Sequence, residues 1–236
     1  ALPPLFPLAE FDDMVAGLAA LAARFRTTIA GGNLTRIDGP LVLDITVVGT
    51  VKRRQTLTRA GARPGDDLYV TGSIGAAAAG LQMLRIKNDA SSASSSCIHR
   101  YLYPEPRVRI GTLLGRNRAA TACIDLSDGL ADAVHQLAES SGVGTTIDGG
   151  ALPVDPGARR WFEQRGKDAV DASIAGGDDY ELLFAARPRL RRRLTAATRH
   201  GDAPLTRIGS CTADGAVVLR HDGADRPMPR GYSHFR

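Results

Sequence analysis

The run Ile124-Asp125-Leu126-Ser127-Asp128-Gly129-Leu130 stands where an apolar, strand-like stretch ends and an amphipathic helix begins. Two carboxylates three apart across such a turn can converge on one hard cation, and Mg²⁺ is usually held by one or two carboxylates together with substrate phosphates. Gly129 lets the backbone bend tightly there. Ser127 adds a hydroxyl, and the first N–H groups of the new helix favour a phosphate. A plainer reading stays open, in which Ser127 or Asp128 is only the N-cap of that helix.

Downstream, Leu130, Ala133, Val134, Leu137 and Ala138 share one helix face, and Gly142 stops the helix. His135 lies on it beside polar neighbours and receives no role. Val143 to Asp148 is again strand-like, and Trp161-Phe162 anchors a further helix to the core. Upstream, Gly61 to Asp67 is turn chemistry, Leu68 to Gly72 a short strand, and Ile74 to Leu84 an Ala-rich helix. That helix opens from Gly72 and Gly75 but lacks the G-x-x-x-x-G-K-[ST] pattern, so a tight strand-to-helix turn without ligand is the preferred reading. Residues 90–96, Ala-Ser-Ser-Ala-Ser-Ser-Ser, predict a mobile loop, followed by a helix over about 108–115.

Toward the N-terminus, Phe11, Met14, Val15, Leu18, Leu21, Ala22 and Phe25 recur at helical spacing, which predicts a helix over 10–25 with one face in the core. Between residues 41 and 51 every odd position is apolar or Gly, which predicts a long strand with one buried face. The polar stretch Lys52-Arg53-Arg54-Gln55 marks a domain boundary near residue 55, giving domains 1–55 and 56–236.

Composition sets broad limits. A chain of 236 residues, 43% of them hydrophobic, can bury a real core. The 30 basic and 25 acidic residues leave a net charge of only +5, and with 5% aromatic residues stacking platforms for nucleic acid are scarce. Cys97, Cys123 and Cys211 are odd in number and widely spaced, which fits neither a disulfide framework nor a zinc site and suits a reducing cytoplasm. No apolar run approaches the roughly 18 residues of a membrane span.

A second acidic stretch follows: Ala175-Gly176-Gly177-Asp178-Asp179-Tyr180-Glu181-Leu182-Leu183-Phe184. Its glycines permit close backbone approach, three carboxylates crowd into four positions, and a strand begins at once. Such a cluster at the mouth of a strand suits a cation or an amine, and it is also common in ordinary polar turns. The basic run from Arg187 to Leu194 reads as a surface helix, with Leu190 and Leu194 facing inward and the arginines solvated. Leu205 to Leu219 predicts two strands around a turn at Asp214-Gly215.

Four stretches, Gly31-Gly32-Asn33-Leu34-Thr35-Arg36, Ile124 to Leu130, Gly176 to Leu183 and Gly231 to Phe235, resemble in order and spacing the thiamine-monophosphate kinases of the aminoimidazole ribonucleotide synthetase-like superfamily. The resemblance implies an α+β, two-domain fold with nucleotide between the domains, and transfer of the γ-phosphoryl of ATP onto thiamine monophosphate with Mg²⁺. It makes Asp125, Asp128 and Asn33 metal ligands, and Ser127, Arg59 and Asn33 ATP contacts. Asp178 becomes a substrate contact, as does Tyr232, whose ring packs on the substrate. It also implies a cytoplasmic homodimer formed through strands that include residues 41–51, acting on a small molecule and on neither nucleic acid nor membrane.

Two departures bear on activity. The family pattern has Asp where Asn33 stands, and Asn offers only a neutral oxygen. The family also places acidic stretches ahead of the part matched here, and none occurs in these 236 residues. The expectation is a first domain incomplete in this chain and little or no turnover from these residues alone. Two alternatives stand beside the kinase: an ATP-dependent enzyme of the same superfamily with another small substrate, or a non-catalytic dimerisation or binding module.

Overall fold

The computed structural model describes residues 1–86 and 92–231, with backbone only for residues 92–95. The chain forms two compact units, Ala1–Thr50 and Val51–Arg236.

In the first unit the predicted helix is present as α1, Leu8–Arg24, but none of its residues is buried. The expected core face is therefore corrected: Val15, Leu18 and Leu21 are exposed, and Phe11, Met14, Ala22 and Phe25 are half-covered. Residues 41–51 form no strand. Their apolar side chains stand in solvent, Val48 at 89% exposure. The period of two was real, but a strand exists only through a pairing partner. Here, among the described residues, Val42 alone is paired, exchanging hydrogen bonds with Ala1 (2.7 and 3.1 Å).

The second unit is built on a seven-stranded mixed sheet: β1 Asp67–Thr71, β2 Ala122–Asp125, β3 Gly144–Asp148, β4 Leu182–Ala186, β5 Leu205–Thr212, β6 Val217–His221 and β7 Ala224–Pro227. The strand order is β2-β4-β1-β5-β3-β6-β7. Every neighbouring pair is antiparallel except β3 and β6. The turn at Asp214-Gly215 thus does not close a hairpin, because β3 inserts between β5 and β6.

Helices cover both faces. α2 Ala76–Arg85, α3 Ser92–Leu102, α5 Leu130–Ser141, α6 Pro156–Glu163 and α7 Ala169–Ile174 contribute to the larger core, while α4 Val108–Arg116 and α8 Arg191–His200 pack on the other face. β4 shows why the sequence reads as continuously apolar there. Leu183 and Ala185 enter the larger core, and Phe184 and Ala186 enter the smaller one, as a two-residue period requires of a strand buried on both sides. Tyr69 of β1 stacks on Phe184 at 5.4 Å.

The serine run needs correction as well. Residues 92–96 are the opening of α3 and not a loop, while 90 and 91 fall outside the described residues. Tertiary contact overrides composition: Cys97 is fully buried, and a Cβ at Gly80 of α2 would lie 2.2 Å from the Cys97 carbonyl. Glycine at that crossing lets two helix backbones touch, and docking on α2 supplies what the weak local propensity lacks. The basic run forms a short 3₁₀ turn and then α8, with Leu194 buried. Arg191 pairs with Asp67 at 3.8 Å.

Candidate functional site

The antiparallel pairing of β2 with β4 sets Asp125 opposite Leu182. The exit of β2 and the entrance of β4 therefore meet at one end of the sheet, and the two acidic motifs, some fifty residues apart in sequence, become adjacent. Backbone hydrogen bonds continue past the strand ends. Leu126 N–H donates to the Glu181 carbonyl (2.8 Å), Tyr180 N–H to Leu126 (3.2 Å) and Asp178 N–H to Ser127 (2.8 Å).

Gly129 is what lets the loops cross. It is the N-cap of α5 at φ 91°, no side chain caps that helix, and a Cβ there would sit 2.0 Å from the Gly176 carbonyl. The N-cap reading of Ser127 or Asp128 is thereby corrected: both lie ahead of the cap, and neither closes the helix end. Asp125 is exposed, and Ser127 and Asp128 are half-buried.

Tyr180 lies within electrostatic reach of three carboxylates. Burial first, then Asp178, Asp125 and Asp128, push its phenol above the usual tyrosine range. Among the described residues, neither Asp125 nor Asp178 forms a salt bridge. The three are not drawn as close together as Asp168, His221 and Asp222, whose ligand atoms lie within 4.8 Å of one another. An open arrangement of hard oxygens suits an ion that keeps waters and phosphate oxygens in its shell. The tighter group has a structural explanation: Asp168 caps α7 by accepting from Asp171 N–H (2.7 Å) and meets His221 Nε2 at 3.1 Å.

The remaining acids of the second motif turn inward, a division the sequence did not signal. Asp179 accepts from the N–H groups of Gly75 (2.9 Å) and Ala77 (3.4 Å) at the start of α2. Burial pushes its carboxyl up to about 7 despite those hydrogen bonds. The glycine-flanked start of α2 is thus answered from within the chain. Glu181 is fully buried. Its side chain accepts from Thr71 Oγ1 (2.6 Å), Arg100 (2.8 Å) and Arg107 Nε (2.6 Å).

The other sequence candidates are distributed unevenly. Arg59 is exposed, and its carbonyl accepts from Ser141 Oγ (3.2 Å) at the end of α5 remote from Leu130. Asn33 is exposed in the first unit. Tyr232 lies outside the described residues; Gly231 just before it is near the first turn of α5, where a Cβ would come 2.5 Å from the Asp132 Cβ. His135 Nε2 meets the carbonyls of Met228 (3.3 Å) and Pro229 (3.2 Å), a structural tie. Burial, with a nearby carboxylate in each case, pushes the thiols of Cys97 up to about 11 and of Cys123 and Cys211 to about 12, so none is a thiolate nucleophile near neutral pH.

Residues 63–222 match the family model of the AIR synthase related protein, C-terminal domain, which sets the class to which this sheet and its acidic loop crossing belong. The chain is 37% identical over 88% of its length to a thiamine-monophosphate kinase of Escherichia coli, and spans 63% of that relative. It is 35% identical over 97% of its length to a thiamine-monophosphate kinase of Salmonella typhimurium, spanning 69% of it. A solved structure, AaThiL complexed with AMPPCP and TMP, covers 99% of this chain and is itself covered to 71%, with a TM-score of 0.79 and 24% identity, a likeness of fold. The chain belongs to the thiamine-monophosphate kinase family, and it spans a little under two thirds of the length of the first of these relatives.

Proposed function

We propose that this chain is part of an enzyme that phosphorylates thiamine monophosphate to thiamine diphosphate with ATP and Mg²⁺. The observation that carries the reading is the convergence of Asp125, Asp128 and Asp178 on one loop crossing, in a family named for that reaction. The joint presence of AMPPCP, an ATP analogue, and TMP in AaThiL is consistent with it.

Asp125 and Asp128 would hold Mg²⁺. The ion, when bound, neutralises charge developing on the transferred phosphoryl group, which is most of what such a reaction needs. Ser127, at the threshold of α5, contacts ATP together with Arg59. Asp178 faces the cationic substrate, and Tyr232 packs on it. The enzyme is cytoplasmic and homodimeric. Among the described residues no helix is long and apolar enough to cross a membrane.

In the whole gene product, Asp125→Asn or Asp128→Asn should lower thiamine-monophosphate phosphorylation by about a hundredfold or more. No phosphorylation by the unaltered product would overturn the reading.

A further inference from the structure

Lys52-Arg53-Arg54-Gln55 has no part in the loop crossing, yet the fold joins it to a second basic stretch, Arg116-Asn117-Arg118. Gln55 N–H donates to the Lys52 carbonyl (2.7 Å) and closes a 3₁₀ turn over Arg53–Gln55. α4 can end against that turn because Gly115 has no side chain; a Cβ there would lie 2.5 Å from the Gln55 carbonyl oxygen. Past the helix end, Arg118 N–H donates to the Gly115 carbonyl (3.1 Å), and Arg193 of α8 donates to the Arg118 carbonyl (3.4 Å). Lys52, Arg53, Arg54, Gln55, Arg116 and Arg118 thereby line a cavity of about 320 Å³, all of them in the second unit.

Five of those six residues are cations and none is an acid. Among the described residues, none of the five forms a salt bridge. Like charges gathered in one place repel. The helix dipole favours a cation in the last turn of α4, which explains Arg116 and not the other four. Elsewhere the chain sets a carboxylate between its cations, as Asp67 stands between Arg191 and Arg207. Here the counter-charge is left to come from outside the chain. We propose that this cavity binds a small polyvalent anion of the phosphate class, on residues separate from the acidic crossing. Guanidinium forks match pairs of phosphate oxygens. A cavity of this size falls in the small-molecule range, and with no aromatic side chain in its lining it offers nucleic-acid bases no surface to stack on.

Inorganic diphosphate titrated into this chain in buffer with EDTA, read by calorimetry, tests the site; without Mg²⁺ the carboxylates of the loop crossing repel such an anion. One diphosphate should bind per chain, more weakly as salt is raised. Arg53→Gln and Arg118→Gln should each weaken it about fivefold or more without lowering the melting temperature. Arg220→Gln removes the same charge from an exposed pair with Asp225 and should leave binding within about twofold. Equal losses from all three variants would reveal attraction to the net charge of +5 alone and overturn the site. No binding by the unaltered chain overturns it as well. So does an affinity for AMPPCP with Mg²⁺ that falls in step with diphosphate in the Arg53 and Arg118 variants, because the cavity would then be part of the nucleotide site. A single-stranded RNA that binds through Arg53 and Arg118 where diphosphate does not bind would make the cavity a nucleic-acid contact and refute the small anion. The site rests on its own residues, so failure of the kinase reading would leave it standing.

Discussion

At the level of single residues, the acids of the second motif show how little a residue type says about its task. Asp178, Asp179 and Glu181 lie within four positions, yet one stays half-buried at the loop crossing, one caps α2, and one is fully buried against two arginines. Asp179 has a consequence that can be measured. Its carboxyl is raised to about 7 in the folded chain, against about 4 when unfolded. Between those values the folded state binds a proton that the unfolded state has lost, so this group's contribution is complete below about pH 4 and is lost as pH rises through about 7. Urea unfolding at pH 5 and pH 8 should show the unaltered chain losing stability toward pH 8. Asp179→Asn, which keeps an acceptor for Gly75, should remove on the order of 2 kcal/mol of that difference. Equal slopes in the two chains would show that Asp179 does not hold its proton.

Among the elements, the join of β2 and β4 is stiffened from beneath by Glu181. Its carboxylate gathers Thr71 from β1, Arg100 from α3 and Arg107 at the start of α4, while its carbonyl holds Leu126. Removing one partner from a buried ionic group strands the others. Glu181→Ala should therefore cost about 3–5 kcal/mol in chemical denaturation, far more than Arg220→Ala, whose pairing with Asp225 is fully exposed. Comparable losses from the two would remove the network's claim to hold the site. The helices were largely readable because each carries its own period, as in α5 with Leu130, Val134 and Leu137 buried. The failures came where partners decide: residues 41–51 lack a pairing strand, and residues 92–96 gain a helix to dock on.

For the whole molecule, both hydrophobic clusters lie entirely within Val51–Arg236. A chain beginning at Val51 should therefore unfold cooperatively, with a denaturation midpoint close to that of the second unit in the longer chain. A broad, non-cooperative transition would show that residues 1–50 are needed for its folding. The apolar stretch 41–51 gives the first unit a different character, since an uncovered, strand-prone segment is a template for pairing with another chain. By itself the sequence determined the two acidic motifs, most of the helices and the strands that flank the crossing, because hydrophobic period and turn chemistry are local properties. Only the tertiary structure decided that β2 and β4 are antiparallel neighbours, so that the loops carrying Asp125, Asp128 and Asp178 lie side by side while Asp179 and Glu181 turn into the core. Strand order is a contest among long-range pairings, and no local pattern along the chain records its outcome.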